Sequence, residues 1–395
     1  MPALPEDSVA DLPFRKGRVF AVSFGHFVHD TFSVFLAPLL PLIIEKLGLS
    51  LTLSASLTVF QRAPAAAAPW IGLTADRRDL RWAIILAPGL TTIAMCLLGI
   101  VPGYGTLAAL LFVSGFSSVV FHVPSAVMVA AESGRAKGRG VSIYQLGGEL
   151  ARTLGPLLAV AAVSWWGLAG IWRLMPLGLA TSLLLWIQIR RLPARVESGG
   201  PRPAFRESWR SMRAVMMPVL SVVLVRSFLV GSLATFLPVF LTSEGFSLTQ
   251  AGGGYALYQL AGAIGALALG TLSDRWGRRF IILMATLLSP ILLLLFLLAD
   301  GALRMPLLFA LGFFALSTTS VMIALIQENA HGHPATAHGL FTATGFALRS
   351  VVVLLVGVLA DLLGLRTAMM ISALIGFLAL PLTLALPKDG NPKKE

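Results

Sequence analysis

Gly270-Thr-Leu-Ser-Asp-Arg-Trp-Gly-Arg-Arg279 is a short charged stretch between two long apolar runs. An earlier stretch, Gly72-Leu-Thr-Ala-Asp-Arg-Arg-Asp-Leu-Arg81, matches it at an offset of about 198 residues. The same offset pairs Gly48-Leu-Ser-Leu-Thr52 with Gly245-Phe-Ser-Leu-Thr249, and sets Pro38 against Pro238. Several matches in one register mark an internal repeat. The chain therefore reads as two related halves, each with the charged stretch in the same place.

The runs around these stretches are membrane-spanning in length. A bilayer core of about 30 Å takes about 20 apolar residues as a helix. Twelve runs qualify: 19–44, 52–73, 82–101, 105–132, 141–164, 169–190, 215–241, 249–271, 279–299, 303–328, 336–360 and 365–386. Only 12% of the residues are charged and 56% are hydrophobic, about half the charge of a soluble domain. No alternating ten-residue segments suggest a barrel. The expected fold is all-α, with twelve transmembrane helices in two pseudo-symmetric six-helix halves. The divisions are a tail over 1–18, a bundle over 19–190, a linker over 191–214, a second bundle over 215–386 and a tail over 387–395.

The net charge of +12 does not form a nucleic-acid footprint, because it is dispersed among short loops. Arg15, Lys16, Arg18, Arg77, Arg78, Arg81, Arg135, Lys137, Arg139, the linker arginines, Arg275, Arg278, Arg279, Lys388, Lys393 and Lys394 all fall on one side. The opposite loops hold Lys46, Arg304 and Arg366. That asymmetry places both termini in the cytoplasm, and no cleavable leader is expected. The linker contains Pro193, Gly199, Gly200, Pro201 and Pro203 and reads as a tether, with a short amphipathic helix over Arg206–Arg213 as the alternative. One cysteine, Cys96, excludes a disulfide framework.

Ionisable residues inside spans are costly and need a partner or a watery cavity. His26, His29 and Asp30 lie in span 1, Gln61 and Arg62 in span 2, and His122 in span 4. Gln145, Glu149 and Arg152 lie in span 5, Arg226 in span 7, Tyr255, Tyr258 and Gln259 in span 8, and Arg349 in span 11. His26 and Asp30, four apart, share a helix face. Asp30 is the expected proton-coupling carboxylate, with His26, His29 and Glu149 around it. The bland reading of Asp30–His26 is a packing hydrogen bond, and of Glu149–Arg152 a structural ion pair. Counting Arg62, Arg152, Arg226 and Arg349 against Asp30 and Glu149 leaves an excess of positive charge, which suits an anionic or amphiphilic small molecule. Gln61, His122, Gln145, Tyr255, Tyr258 and Gln259 are the polar candidates for binding it. Glu132 and Glu328, at the ends of spans 4 and 10, are expected to pair with arginines as gate residues.

The second charged stretch fits the signature G-x-x-x-D-R-x-G-R-[RK] of the major facilitator superfamily through Gly270, Asp274, Arg275, Gly277, Arg278 and Arg279. The first copy departs, with Asp79 and Leu80 at its glycine and arginine positions. The resemblance implies parallel six-helix halves with a substrate site near mid-membrane, cavity-lining spans 1, 2, 4, 5, 7, 8, 10 and 11, and gating by Gly72, Asp76, Arg77, Gly270, Asp274 and Arg275. The mid-span charges all fall on those spans. A glycine at 72 lets two helices approach closely. Gly147, Gly148, Gly155 and Pro156 resemble the superfamily's antiporter motif.

A narrower resemblance is to fosmidomycin-resistance-like drug exporters. His26, Asp30, Phe60-Gln61, Ser117-Ser118, Phe121-His122, Gln145-Leu-Gly-Gly148, Leu154-Gly-Pro156, Gln327-Glu328 and Gly339-Leu-Phe341 carry it. Val123-Pro124 stands where that family tends to have Pro-Glu, Glu149 where it has a neutral amide, and Arg62 and Arg349 are additions. The implied activity is proton-coupled efflux across a bacterial inner membrane by a monomer. The alternative is proton-coupled import of an organic acid or metal chelate. No ATP-binding motif or enzymatic nucleophile motif occurs, so no enzyme activity or cofactor is expected. His26, His29, Asp30 and His122 are adequate metal ligands in type, but no His–His pair has the i,i+4 spacing, so no metal is expected.

Overall fold

Prolines and glycines decide where the apolar runs bend and how closely they pack. In the computed structural model, which describes residues 14–75, 79–191, 205–328 and 334–387, the first run is two helices, α1 (Lys16–Ser33) and α2 (Leu36–Leu47). The break comes just before Pro38, whose missing N–H cannot serve the carbonyl of Val34 and whose ring crowds it. The amide of Gln61 donates to the Ser33 carbonyl at the break, at 2.7 Å. The second run is divided as well, into α3 (Leu51–Arg62), a 3-10 stretch over Ala63–Ala67 that contains Pro64, and α4 (Ala68–Ala75).

The rest of the first half is α5 (Arg81–Cys96), α6 (Tyr104–Glu132), α7 (Lys137–Trp166) and α8 (Met175–Ile189). The second half holds α9 (Phe205–Ser243), α10 (Leu248–Trp276), α11 (Arg278–Leu298), α12 (Arg304–Glu328), α13 (Pro334–Leu363), α14 (Leu365–Gly376) and α15 (Ala379–Thr383). No strand occurs among the described residues. Eleven helical stretches among them are long and apolar enough to cross a bilayer. The twelfth span is Leu51–Ala75, interrupted by its 3-10 turn. Large apolar side chains such as Leu267, Leu362 and Trp165 are exposed, as befits helices whose solvent is lipid. The linker is shorter than its sequence suggests: α9 already begins at Phe205, so 205–214 belong to a helix continuous with span 7.

The chain forms two compact units, Met1–Ile43 with Leu57–Arg202, and Ile44–Ser56 with Pro203–Glu395. In the first, α1 packs on α5, α6, α7 and α8. Glycines bring α7 against α1: a Cβ at Gly155 would lie 2.6 Å from the Thr31 carbonyl oxygen, and one at Gly147 would lie 2.8 Å from that of Ser23. In the second, α10 and α12 meet closely, since a Cβ at Gly265 or Gly312 would strike the backbone of Phe313 or Tyr258. Ser247 and Gln250 form a reciprocal capping box at the start of α10. Within this unit Asp361 on α13 caps α3 from another helix. Its carboxylate accepts from the N–H of Leu51 at 2.7 Å, the N–H of Thr52 at 2.9 Å and the Thr52 hydroxyl at 2.6 Å. One turn earlier, Gly357 leaves room for Thr52 and Ala55.

Candidate functional site

Asp30 sits on α1 at the centre of three imidazoles. His26 Nε2 lies 3.2 Å from Oδ2, while His29 Nδ1 and His122 Nε2 lie 3.0 and 3.1 Å from Oδ1. His26 follows from the i,i+4 spacing, and His29 adjoins Asp30 in sequence. His122 arrives on α6, and neighbouring helices supply the supports. Tyr144 of α7 stacks on the His26 ring at 4.0 Å, and Phe121 of α6 stacks on His29 at 4.8 Å. Gly148 of α7 makes the space, because a Cβ there would lie 2.7 Å from His26 Cε1. His26 and His29 are buried, Asp30 is 14% exposed and His122 is about a third exposed.

The far side of each ring fixes its proton. His26 Nδ1–H donates to the Tyr144 carbonyl at 2.8 Å, and His122 Nδ1–H to the Ser118 carbonyl at 2.8 Å. A carbonyl can only accept. For His29 the constraint runs through hydroxyls: Ser117 donates to the Ala87 carbonyl, Thr91 donates to Ser117, and Thr91 accepts from His29 Nε2–H at 3.0 Å. In neutral histidines, all three nitrogens facing Asp30 are then lone pairs. A carboxylate surrounded by acceptors is unsatisfied and costly when buried. The arrangement calls for added protons, or another cation, between Asp30 and the rings.

The other expected site residues divide between the two units. In the first, Glu149 and Arg152 pair within α7 at 2.8 Å, both substantially exposed. Gln145 is exposed on the same helix, Arg62 is exposed at the end of α3, and Gln61 is engaged with Ser33. Glu132 is buried and accepts from Arg15 and Arg18, at 3.2 and 3.0 Å, tying the end of α6 to the start of α1. Asp76 and Arg77 lie outside the described residues. Gly72 falls in α4. Asp79 accepts from the N–H of Arg81 and pairs with its side chain at the start of α5.

In the second unit, Arg226 is buried in the interior of the helix packing. Its guanidinium donates to the Thr286 hydroxyl at 3.1 Å and the Ala315 carbonyl at 3.0 Å, and no carboxylate pairs with it among the described residues. Tyr258 is fully buried. Tyr255 donates to the Ala234 carbonyl at 3.1 Å, and Gln259 donates to the Tyr255 oxygen at 3.4 Å. Arg349 donates to the Gly345 carbonyl at 2.9 Å. Arg278 joins Asp274 and Glu328, linking the ends of α10 and α12, and Arg275 is exposed. The motif's first glycine does not serve close packing in this copy: among the described residues nothing lies within 4 Å of a Cβ at Gly270. Gly277 is the glycine that the backbone requires, with φ of +93° at the turn between α10 and α11. Sequence spacing missed Asp361, which has only a remote partner, and Thr91, which looks like an ordinary polar residue in an apolar span.

Comparison with known proteins agrees with this architecture. Residues 22–353 match the Major Facilitator Superfamily. The MFS-type transporter YfnC of Bacillus subtilis is 26% identical over 92% of this chain and 91% of its own. The fosmidomycin resistance protein of Escherichia coli is 25% identical over 94% and 93%. Crystal structures with the same fold include a bacterial homologue of the human lysosomal transporter Spinster, at TM-score 0.79 and 15% identity over 94% of this chain and 97% of that one. The nucleoside transporter NupG has TM-score 0.76 and 14% identity over 93% and 98%. The chain belongs to the Major Facilitator Superfamily, and is a multi-pass membrane transporter of small molecules with no enzymatic role.

Proposed function

We propose that the protein is a proton-coupled exporter of a small anionic or amphiphilic compound, working as a monomer by alternating access in the bacterial inner membrane. The Asp30 cluster carries this reading. A carboxylate among three inward lone pairs needs protons to be stable, and its partial exposure gives those protons a route in and out. Loss or gain of a proton changes which helices the cluster ties to α1, since the rings come from α1 and α6 and their anchors from α5, α6 and α7. That is the link a coupled transporter needs between protonation and conformation. Efflux is favoured by the likeness to the fosmidomycin resistance protein. An anionic substrate is favoured by Arg226, a buried cation held only by neutral oxygens among its described partners, and by Arg62, Arg152 and Arg349. Gln61, His122, Gln145, Tyr255, Tyr258 and Gln259 complete the proposed binding set, and Glu149 assists coupling. Gly72, Asp76, Arg77, Glu132, Gly270, Asp274, Arg275 and Glu328 are the proposed gate. The positive-inside asymmetry supports a cytoplasmic location for both termini.

Inside-out membrane vesicles test the direction. With the lumen acidified, an exporter accumulates its substrate in the lumen and alkalinises it as protons leave. Fosmidomycin is the first compound to test, followed by other small organic anions. Accumulation abolished by a protonophore is the expected result. Uptake seen only in right-side-out vesicles would make the protein an importer.

A further inference from the structure

We propose that His26, Asp30 and His122 form a binding site for a divalent transition-metal ion, which occupies the place of the coupling protons. Three observations converge. One ligand atom from each residue lies within 4.8 Å of the others. The nitrogen–oxygen separations are 3.2 and 3.1 Å. Zinc bonds of about 2.0–2.1 Å to nitrogen or oxygen in a tetrahedral site put neighbouring ligands roughly 3.3 Å apart; the separations to Oδ2 and Oδ1 of the one carboxylate already match that spacing, and the remaining ones, within 4.8 Å, close when an ion is seated.

The third observation is tautomer control. A metal-bound histidine characteristically donates its other N–H to a carbonyl or carboxylate, which orients the ring and directs the free lone pair at the ion. His26 and His122 do this through the carbonyls of Tyr144 and Ser118, both at 2.8 Å. His29 stands outside the ligand set, and its Nδ1, 3.0 Å from Asp30 Oδ1, holds the carboxylate when the ring is protonated. Because His122 is about a third exposed, the ion has an approach, and a water or substrate group can take the remaining position. Two imidazoles and one carboxylate favour zinc, cobalt, nickel or copper over magnesium or calcium. The i,i+4 criterion overlooked the site because its two histidines come from α1 and α6.

Binding stands on this geometry alone, while its effect on transport rests on the coupling role proposed above. Zinc displaces protons from the cluster, so it should block pH-driven flux. Calorimetric titration of Zn2+ into the detergent-solubilised full chain is expected to show one ion per chain, weaker binding at pH 5.5 than at pH 7.5, and none for Mg2+. His26→Ala and His122→Ala should each weaken binding by at least about 10–100-fold. The double variant His331→Ala/His333→Ala, which removes histidines elsewhere in the chain, should bind as wild type does. If His26→Ala does not fold, His122→Gln at the more exposed position carries the test. Absence of zinc binding, or binding that survives loss of His26 and His122 but not of His331 and His333, would overturn the site. Zinc binding at this site without inhibition of pH-driven transport would instead contradict the coupling reading and leave the metal site standing.

Discussion

Gly148 controls the room around Asp30. Any side chain there meets His26 Cε1 within 2.7 Å and Asp30 Oδ2 within 3.5 Å. Gly148→Ala should therefore push His26 from its Tyr144 anchor, costing about 1–3 kcal/mol of stability, as overpacking does, and slowing pH-driven transport. Thermal unfolding and flux measure both effects. Gly138→Ala on the same helix, where nothing lies within 4 Å, should leave both nearly unchanged. Arg226 illustrates the opposite case. Beside the anion-binding role proposed for it, its guanidinium is bonded to Thr286 and Ala315 inside its own unit. Arg226→Ala should destabilise the protein by about 1–3 kcal/mol even without a transported compound. An unaltered unfolding temperature would return Arg226 to a binding role alone. Composition announces an arginine in a span, but it cannot say which neighbour the guanidinium finds.

The spans were legible at the scale of elements because twenty apolar residues have few alternatives in lipid. Their bends were less so. Pro38 and Pro238 occupy equivalent places in the repeat, yet only the first lies beside a helix break, while α9 continues through Pro238. The charged motif also diverges in use. Gly277 supplies a positive φ in one copy, whereas Asp79 caps the next helix in the other. Between α9 and α10, Glu244 binds Arg304 at 2.8 Å and also Arg366, tying the starts of α12 and α14 to this turn. Hydrogen bonding to Arg304, then to Arg366, holds its carboxyl below the usual carboxylate range. A depressed carboxyl contributes stability that is full above its unfolded pKa and is lost as pH falls through the folded value. Glu244→Gln should thus lower the unfolding temperature at neutral pH, and the gap from wild type should close as the medium is acidified below the usual carboxylate range. A gap that stays constant with pH would remove the ionic role of Glu244.

Across the whole molecule, the internal repeat pointed to two six-helix halves, and the resemblance of the charged motif to the major facilitator superfamily implied a transporter, before any side chain was placed. Periodicity set His26 and Asp30 on one face, but it could not pick out the helices that face them. The four groups of the centre converge only in the fold, with His122 from α6 and supports from Thr91 on α5 and Tyr144 on α7. Our proposal is that this centre carries the protons that drive transport. Purified protein in liposomes, loaded with the compound found by vesicle screening, tests it through Asp30→Asn. That variant keeps the shape of the side chain and removes its charge. It should retain counterflow exchange of the compound and lose flux driven by a pH gradient. Flux driven by the gradient at the wild-type rate in Asp30→Asn would contradict a proton-carrying role for the centre.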